Sequence, residues 1–321
     1  MNTQVKWGVL GLARIARNEF IPALQRTAGV ELYAVASRDQ EKLAEFKNQT
    51  QCAQYYSSYE ALLDDPEVQA VYIPLPNALH KEWVIQAARR GKHVLCEKPI
   101  ALNAAECEAI IAAARQNQVV VMEGFMYRYS ERTKKLQDIL ATGVLGDLKY
   151  IHSSYRFLLN RPNTIKVQPE LGGGSLYDVG CYPVNFTGMI TGMEPESVVA
   201  EAVYENGVDM IFSAVLKYPG WILATINSGF NAFPRIFSEL IGTRGRIEIP
   251  DTFLGNAGTL TLVTEAGTEE IAVAESDRFG REIADFSQAV LEGKYPRLSL
   301  EETLRNMKVI ESLLQVARDK G

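Results

Sequence analysis

The chain has 321 residues, of which 47% are hydrophobic and 22% charged, with a formal net charge of −6. That length gives room for two domains with sizeable cores, and the acidic balance argues against a nucleic-acid partner. No apolar run reaches ~18 residues and no basic segment leads into a long apolar stretch at the N-terminus, so neither a membrane span nor a signal peptide is expected, and a cytoplasmic protein is.

In chain order, Val5–Leu10 reads as a strand, followed by Gly11, Ala13 and Ala16 and an amphipathic helix through Ile15, Phe20, Ile21 and Leu24. Pro22 kinks that helix or ends its regular part. Val30–Ala36 is a second buried strand, Asp39–Lys47 a helix and Tyr59–Leu63 a short helix. Ala70–Ile73 is a strand stopped by Pro74 and Pro76, and Leu79–Arg90 a helix ended by Gly91. His93–Cys96 is a strand, Asn103–Gln116 a helix with Asn103 as its cap, and Val119–Met122 a strand. Alternating strands and helices with short connections predict a doubly wound parallel sheet of the Rossmann kind, here residues 1–123.

Near Glu123 the pattern changes. Glu131–Ala141 is helical, Leu148–Phe157 a long strand, and Gly172-Gly173-Gly174-Ser175 opens a helix to about Thr191. Strands at Val198–Val203, Met210–Leu216, Ile222–Phe230, Arg235–Gly242, Arg246–Ile249, Thr259–Val263 and Glu270–Val273 precede two closing helices, Phe279–Leu291 and Leu300–Ala317. Residues 124–321 are therefore expected to form an α+β domain with a large, mostly antiparallel open sheet. Many strands with few helices to cover them predict a homodimer or a dimer of dimers through that sheet.

Several stretches carry chemistry. Gly11-Leu12-Ala13-Arg14-Ile15-Ala16 is a dinucleotide turn with Ala13 in place of the second glycine, or else a tight strand–helix turn without ligand. Ser37-Arg38 ends the second strand where an NAD site has a carboxylate, which suits the 2′-phosphate of NADP better than NAD. The alternative is that Ser37 or Asp39 only caps the next helix. Lys98 in Glu97-Lys98-Pro99 stands at a strand's carboxyl end, where ligands of open α/β sheets bind; alternatively it is a solvated lysine. Asp178 and Tyr182 are four apart on one helix face. A phenol works as an acid–base group once a nearby cation lowers its pKa. Ser175-x-x-Asp178 also has the form of a capping box over a core tyrosine. The four cysteines lack CxxC spacing and the three histidines lack metal-ligand spacing, so reduced thiols and no metal site are expected.

Residues Trp7–Ala16, Ala36–Asp39, Leu75–His80, Glu97–Pro99, Glu123–Tyr129 and Gly172–Pro183 together resemble the glucose–fructose oxidoreductase and inositol dehydrogenase (Gfo/Idh/MocA) family. The resemblance is nearest the branch of dimeric dihydrodiol dehydrogenases and NADP-dependent pentose dehydrogenases. It implies that Lys98 is catalytic, that Glu97 contacts the nicotinamide ribose, and that Tyr182, a histidine in many members, donates and accepts the proton. With it, cofactor contacts are expected from Gly11, Ala13, Arg14, Ile15, Ser37, Arg38, Pro74, Leu75, Asn77, His80, Glu97 and Lys98. The second sheet is implied to cover the substrate and to form the subunit interface.

The expected function is that of an NADP(H)-dependent oxidoreductase acting on a secondary alcohol or ketone of a sugar, polyol or related small carbonyl compound. Lys98 would hold the substrate oxygen and lower the Tyr182 pKa. Asp178 would fix a neighbouring hydroxyl or Lys98. Arg156, Asn163 and Phe279 would line the substrate pocket with Asp178 and Tyr182. A non-catalytic nucleotide-sensing regulator and a glycoside hydrolase assisted by NAD(P) are the alternatives.

Overall fold

A computed structural model of the chain describes residues 4–161 and 164–319. The chain divides into two compact units, one made of the residues up to Phe125 with Phe279–Leu304, the other of Met126–Arg278 with the chain from Arg305 onward.

The first unit is built on β1 (Val5–Leu10), β2 (Val30–Ala36), β3 (Gln54–Tyr56), β4 (Ala70–Ile73), β5 (His93–Glu97) and β6 (Val121–Gly124). They pair in parallel in the order β3-β2-β1-β4-β5-β6. This is the expected Rossmann sheet, and β1/β4 is the point where strand order reverses and dinucleotides bind. The central strands are apolar because both faces are covered: all four residues of β4 are buried. The helices are α1 (Ile21–Arg26), α2 (Gln40–Gln49), α3 (Tyr59–Leu63), α4 (His80–Arg89) and α5 (Ala104–Asn117). Asp39, Ser58 and Asn103 cap α2, α3 and α5 by accepting a backbone N–H from the first turn. Pro22 stands in the first turn of α1, directly after a π-helical turn at Ala16–Phe20. The short strand β3, only three residues and half exposed, has too weak an apolar pattern to be read from sequence.

The first core also takes in a late segment. Trp7, fully buried, packs on Phe20 at 5.7 Å and on Phe286 at 5.1 Å, and its indole N–H donates to Ser287 Oγ at 3.2 Å.

The second unit contains α6 (Glu131–Ala141), β7 (Leu148–Leu158), α7 (Cys181–Thr191) and the strands β8 (Ser197–Glu205), β9 (Val208–Tyr218), β10 (Ile222–Gly229), β11 (Asn231–Gly242), β12 (Gly245–Pro250), β13 (Gly258–Thr264) and β14 (Gly267–Val273). The eight strands run in the order β14-β13-β12-β11-β7-β10-β9-β8, antiparallel except for β7 with β10. Helix α8 (Arg278–Glu292) lies almost wholly in the first unit, and α9 (Leu300–Arg318) ends the described chain.

Alternation sets the two faces of the large sheet. Phe212, Ala214, Leu216, Ala224 and Ile226 are buried on the face that takes α7. Their neighbours Val199 (52% exposed), Val203 (56%), Val215 (41%), Leu223 (40%) and Tyr150 (49%) form the other face. No described helix is long and apolar enough to cross a membrane.

Candidate active site

The candidate cofactor residues lie along the carboxyl ends of the parallel strands. Gly11 follows β1 at φ +103°, a conformation that favours glycine, and its N–H donates to Ala36 O at 2.8 Å. A Cβ there would come within 2.9 Å of the Leu75 side chain. The helix begins at Arg14, so the turn with Ala13 ends on the backbone N–H groups of a helix start, with Ile15 part-buried behind it. At the end of β2, Asp39 caps α2 by accepting Lys42 N–H at 3.1 Å. Ser37 is 4% exposed, and its hydroxyl holds this turn by accepting Asp39 N–H at 3.2 Å. Arg38 is the outward residue, its guanidinium 5.1 Å from the Tyr59 ring centroid. After β4, Pro74 and Leu75 are buried, and Asn77 opens a short 3₁₀ turn.

The Glu97–Ile100 segment is tied down by three buried side chains. The Tyr72 phenol donates to Glu97 Oε1 at 2.6 Å, His80 Nδ1 lies 2.7 Å from Pro99 O, and Ile100 N–H donates to Glu123 Oε1 at 3.0 Å. Lys98 sits in the middle, part-exposed. His80 is fully buried, and its Nε2 lies 2.8 Å from Leu75 O. Both ring nitrogens thus face backbone, so His80 braces two loops. Carbonyls only accept, so both contacts together call for a doubly protonated ring. Burial outweighs them and, with the Lys98 charge, pushes the His80 pKa down to about 4. At neutral pH the ring donates to one carbonyl.

In the second unit, the helix carrying Asp178 and Tyr182 begins with a π-helical turn, Leu176–Gly180, and continues as α7. The capping box does not form: Ser175 makes no side-chain cap bond to this turn. Instead Asp209 supplies the cap. Its Oδ2 accepts both the Leu176 N–H and the Ser175 hydroxyl, each at 2.7 Å. Gly174, at φ +119°, has no room for a Cβ because Asp209 Oδ1 occupies that place. Burial raises the Asp209 pKa to about 6 against the opposing hydrogen bonds.

Asp178 forms an ion pair with Lys166, which also lies over the Phe157 ring at 5.6 Å. Tyr182 is 5% exposed in an aromatic cluster, with Phe253 at 5.3 Å, Tyr155 at 5.4 Å and Tyr127 at 5.9 Å. Its hydroxyl reaches Met126 Sδ at 3.5 Å.

The structure places two of the expected substrate residues as follows. Tyr155 packs against Tyr182, so Arg156, next along β7, points to the opposite face of the sheet. Its guanidinium bonds Ser154 Oγ at 3.1 Å and Asn227 Oδ1 at 3.0 Å there. Phe279 is 3% exposed, packed into the first unit at the start of α8, with almost no surface to offer a ligand. Asn163 lies outside the described residues.

Lys166, Asp209, Glu123 and Tyr155 were not expected. Only Glu123 left a trace in the sequence, as a lone carboxylate at the end of an apolar run. All four cysteines are free thiols, and the described residues contain no cluster of His, Cys, Asp and Glu able to hold a metal.

Comparison with known proteins identifies the family. Residues 5–125 match the Gfo/Idh/MocA oxidoreductase family with its NAD-binding Rossmann fold, and residues 133–248 match that family's C-terminal domain. The chain belongs to the Gfo/Idh/MocA oxidoreductase family. It is 35% identical to a D-xylose 1-dehydrogenase (NADP(+)) of Haloferax volcanii, over 97% of each chain. It is also 35% identical to a trans-1,2-dihydrobenzene-1,2-diol dehydrogenase of Xenopus tropicalis, over 76% of this chain and 75% of that one. Among solved structures, a 3-ketoreductase from Actinomadura kijaniata in complex with NADP and TDP-benzene superposes with a TM-score of 0.93 at 30% identity, covering 97% of each chain. In this sequence Lys98 stands in Glu97-Lys98-Pro99, and Tyr182 follows Gly172-Gly173-Gly174 on the helix they precede.

Proposed function

We propose that the protein is an NADP(H)-dependent oxidoreductase moving a hydride between nicotinamide and a secondary alcohol or ketone carbon of a sugar, polyol or related small carbonyl compound. Lys98 carries the proposal: it stands at the carboxyl end of a Rossmann strand, between neighbours braced by Tyr72, His80 and Glu123. The chain fits a dinucleotide, since Gly11 leaves the turn open where a Cβ would fill it and the helix N–H groups follow at once. Gly11, Ala13, Arg14 and Ile15 hold the pyrophosphate, Pro74, Leu75, Asn77, Glu97 and Lys98 the nicotinamide side, and Arg38, set by the Ser37 turn, the 2′-phosphate. NADP is favoured over NAD by Arg38 and by the NADP named for the xylose dehydrogenase and the ketoreductase.

The bound nicotinamide supplies or takes the hydride. The chain's own residues manage the proton and the geometry. Tyr182 gives its phenolic proton to the substrate oxygen in reduction and recovers it in oxidation. The Lys98 ammonium donates to the same oxygen and favours the phenolate. Asp178, paired with Lys166, orients a neighbouring hydroxyl. A lysine–aspartate pair offers donors and acceptors together, which matches a polyhydroxylated substrate. Tyr155 supplies an aromatic surface beside Tyr182.

The subunits pair through the open face of the large sheet, where Tyr150, Val199, Val203, Val215 and Leu223 leave an apolar surface.

The deciding experiment is a panel of aldoses, ketoses and dicarbonyls with NADP⁺ or NADPH, followed by NADPH absorbance. Turnover of hydroxylated substrates lost in Lys98→Met and Tyr182→Phe is the expected result. NADPH binding without turnover of any carbonyl would instead leave a nucleotide-sensing role.

A further inference from the structure

Glu123 takes no part in the chemistry described above, yet it is 3% exposed and lies against the Lys98 segment. It pairs with Cys96 across β5 and β6, two residues before Lys98. Its Oε1 accepts the Ile100 N–H at 3.0 Å, which fixes the backbone two residues after Lys98. Its Oε2 is buried with no partner that meets full hydrogen-bond geometry among the described residues, and the nearby Thr303 hydroxyl favours its ionised form. A carboxylate so poorly solvated persists only where a cation or a proton offsets it.

The charged and titratable groups around it are few. Lys98 favours its ionised form, Glu302 at the start of α9 opposes it, and the buried Cys96 thiol is its neighbour on β5. Burial is the largest influence and lifts the Glu123 pKa to about 7.

We propose that Glu123 is a positioning residue for Lys98: it anchors the backbone at Ile100 and its carboxylate stabilises the Lys98 ammonium. The proposal rests on Lys98 acting in turnover as described above. The coupling is reciprocal, since a cation that favours the Glu123 carboxylate must itself be favoured by it. The two roles separate by substitution. Glu123→Gln keeps an oxygen to accept the Ile100 N–H and loses the charge. Glu123→Ala loses both.

The test measures Lys98 directly. Competitive acetylation of the full chain across pH, followed by mass spectrometry of the Lys98 peptide, reads the titration of that ammonium without any substrate. In Glu123→Gln the midpoint should fall by about half a pH unit or more, and the alkaline limb of kcat/KM should move down with it. At the pH optimum, kcat of Glu123→Gln should stay within roughly threefold of wild type, while Glu123→Ala loses about tenfold or more with NADPH affinity preserved. A wild-type Lys98 midpoint in Glu123→Gln overturns the electrostatic role. Wild-type kcat in Glu123→Ala overturns the anchoring role, and if that variant does not fold, a drop of more than about tenfold in Glu123→Gln does so. Lys98→Met is the control. If it turns over normally, the catalytic assignment of Lys98 fails, and the acetylation midpoint still decides whether Glu123 and Lys98 are coupled.

Discussion

Asp209, from β9, accepts the Leu176 N–H at 2.7 Å and so caps the helix that carries Asp178 and Tyr182. Asp209→Ala leaves this N–H unpaired in the interior, at ~1–3 kcal/mol, while the Ser175 hydroxyl keeps Ser228 Oγ at 2.9 Å. Burial raises the Asp209 pKa from 3.8 to about 6. A raised folded-state value means stability present below the unfolded pKa and lost as pH rises through the folded one. Wild type should therefore lose on the order of 3 kcal/mol from this group between about pH 4 and pH 7. Asp209→Asn, which keeps an accepting oxygen and cannot ionise, should lack that slope in urea unfolding. Identical pH slopes for the two proteins would show that Asp209 does not ionise in this range.

His80 should behave in the opposite sense. Its pKa is pushed down from 6.5 to about 4, so the folded protein stays unprotonated where the unfolded chain takes up a proton. Its contribution is present above about pH 6.5 and is lost as pH falls through 4, on the order of 3 kcal/mol. In His80→Gln this acid-side loss should vanish, and kcat should fall because the Pro99 carbonyl loses its brace. Unfolding midpoints near pH 7 and about pH 5 decide it.

Arg38 is the outward residue at the end of β2. A hydrogen bond to a charged group contributes roughly 1.5–3 kcal/mol, so Arg38→Ala should weaken NADP binding about 10- to 150-fold and NAD binding much less. Equal losses, measured by fluorescence titration, would mean that Arg38 does not read the 2′-phosphate.

Tyr182→Phe should lower kcat by ~10²–10⁴ with NADPH binding near normal. Lys98→Met should do comparable damage, and the double variant should be far less impaired than the product of the single losses, because the two groups act as a unit. Retention of more than about a tenth of wild-type kcat in Tyr182→Phe, with chemistry rate-limiting, would make Tyr182 a core aromatic.

Arg156 tests the reassigned face. Bound to Ser154 and Asn227 away from Tyr155, it should be dispensable for substrate, with KM in Arg156→Ala within about twofold of wild type. Val215→Asp, on the same face, should shift light-scattering mass toward the monomer. A wild type that is already monomeric at micromolar concentration would remove the proposed interface.

The parallel sheet and the position of Lys98 were legible in the order of residues, because they rest on local rules. Apolar runs stopped by proline make buried strands, and a positive-φ glycine marks the turn after β1. The alternation that exposes one face of the large sheet is equally local. Arg156 shows the limit of such rules: its type suited a substrate contact, but the register of β7 against Tyr182 decided which face it took. Asp178 drew Lys166, and the helix of Tyr182 took its cap from Asp209, 33 residues beyond Leu176. Ser175-x-x-Asp178 satisfied the capping pattern and still lost to a buried carboxylate from β9, since two bonds to one desolvated anion outweigh a neutral local one. Glu123 and His80 likewise reach backbone atoms of Ile100 and Pro99, just after Lys98 in the chain. Sequence therefore determined most of the elements and where the candidate residues stand along them. Only the tertiary structure decided which buried group satisfies each polar atom, because that choice depends on distances between segments far apart in the chain.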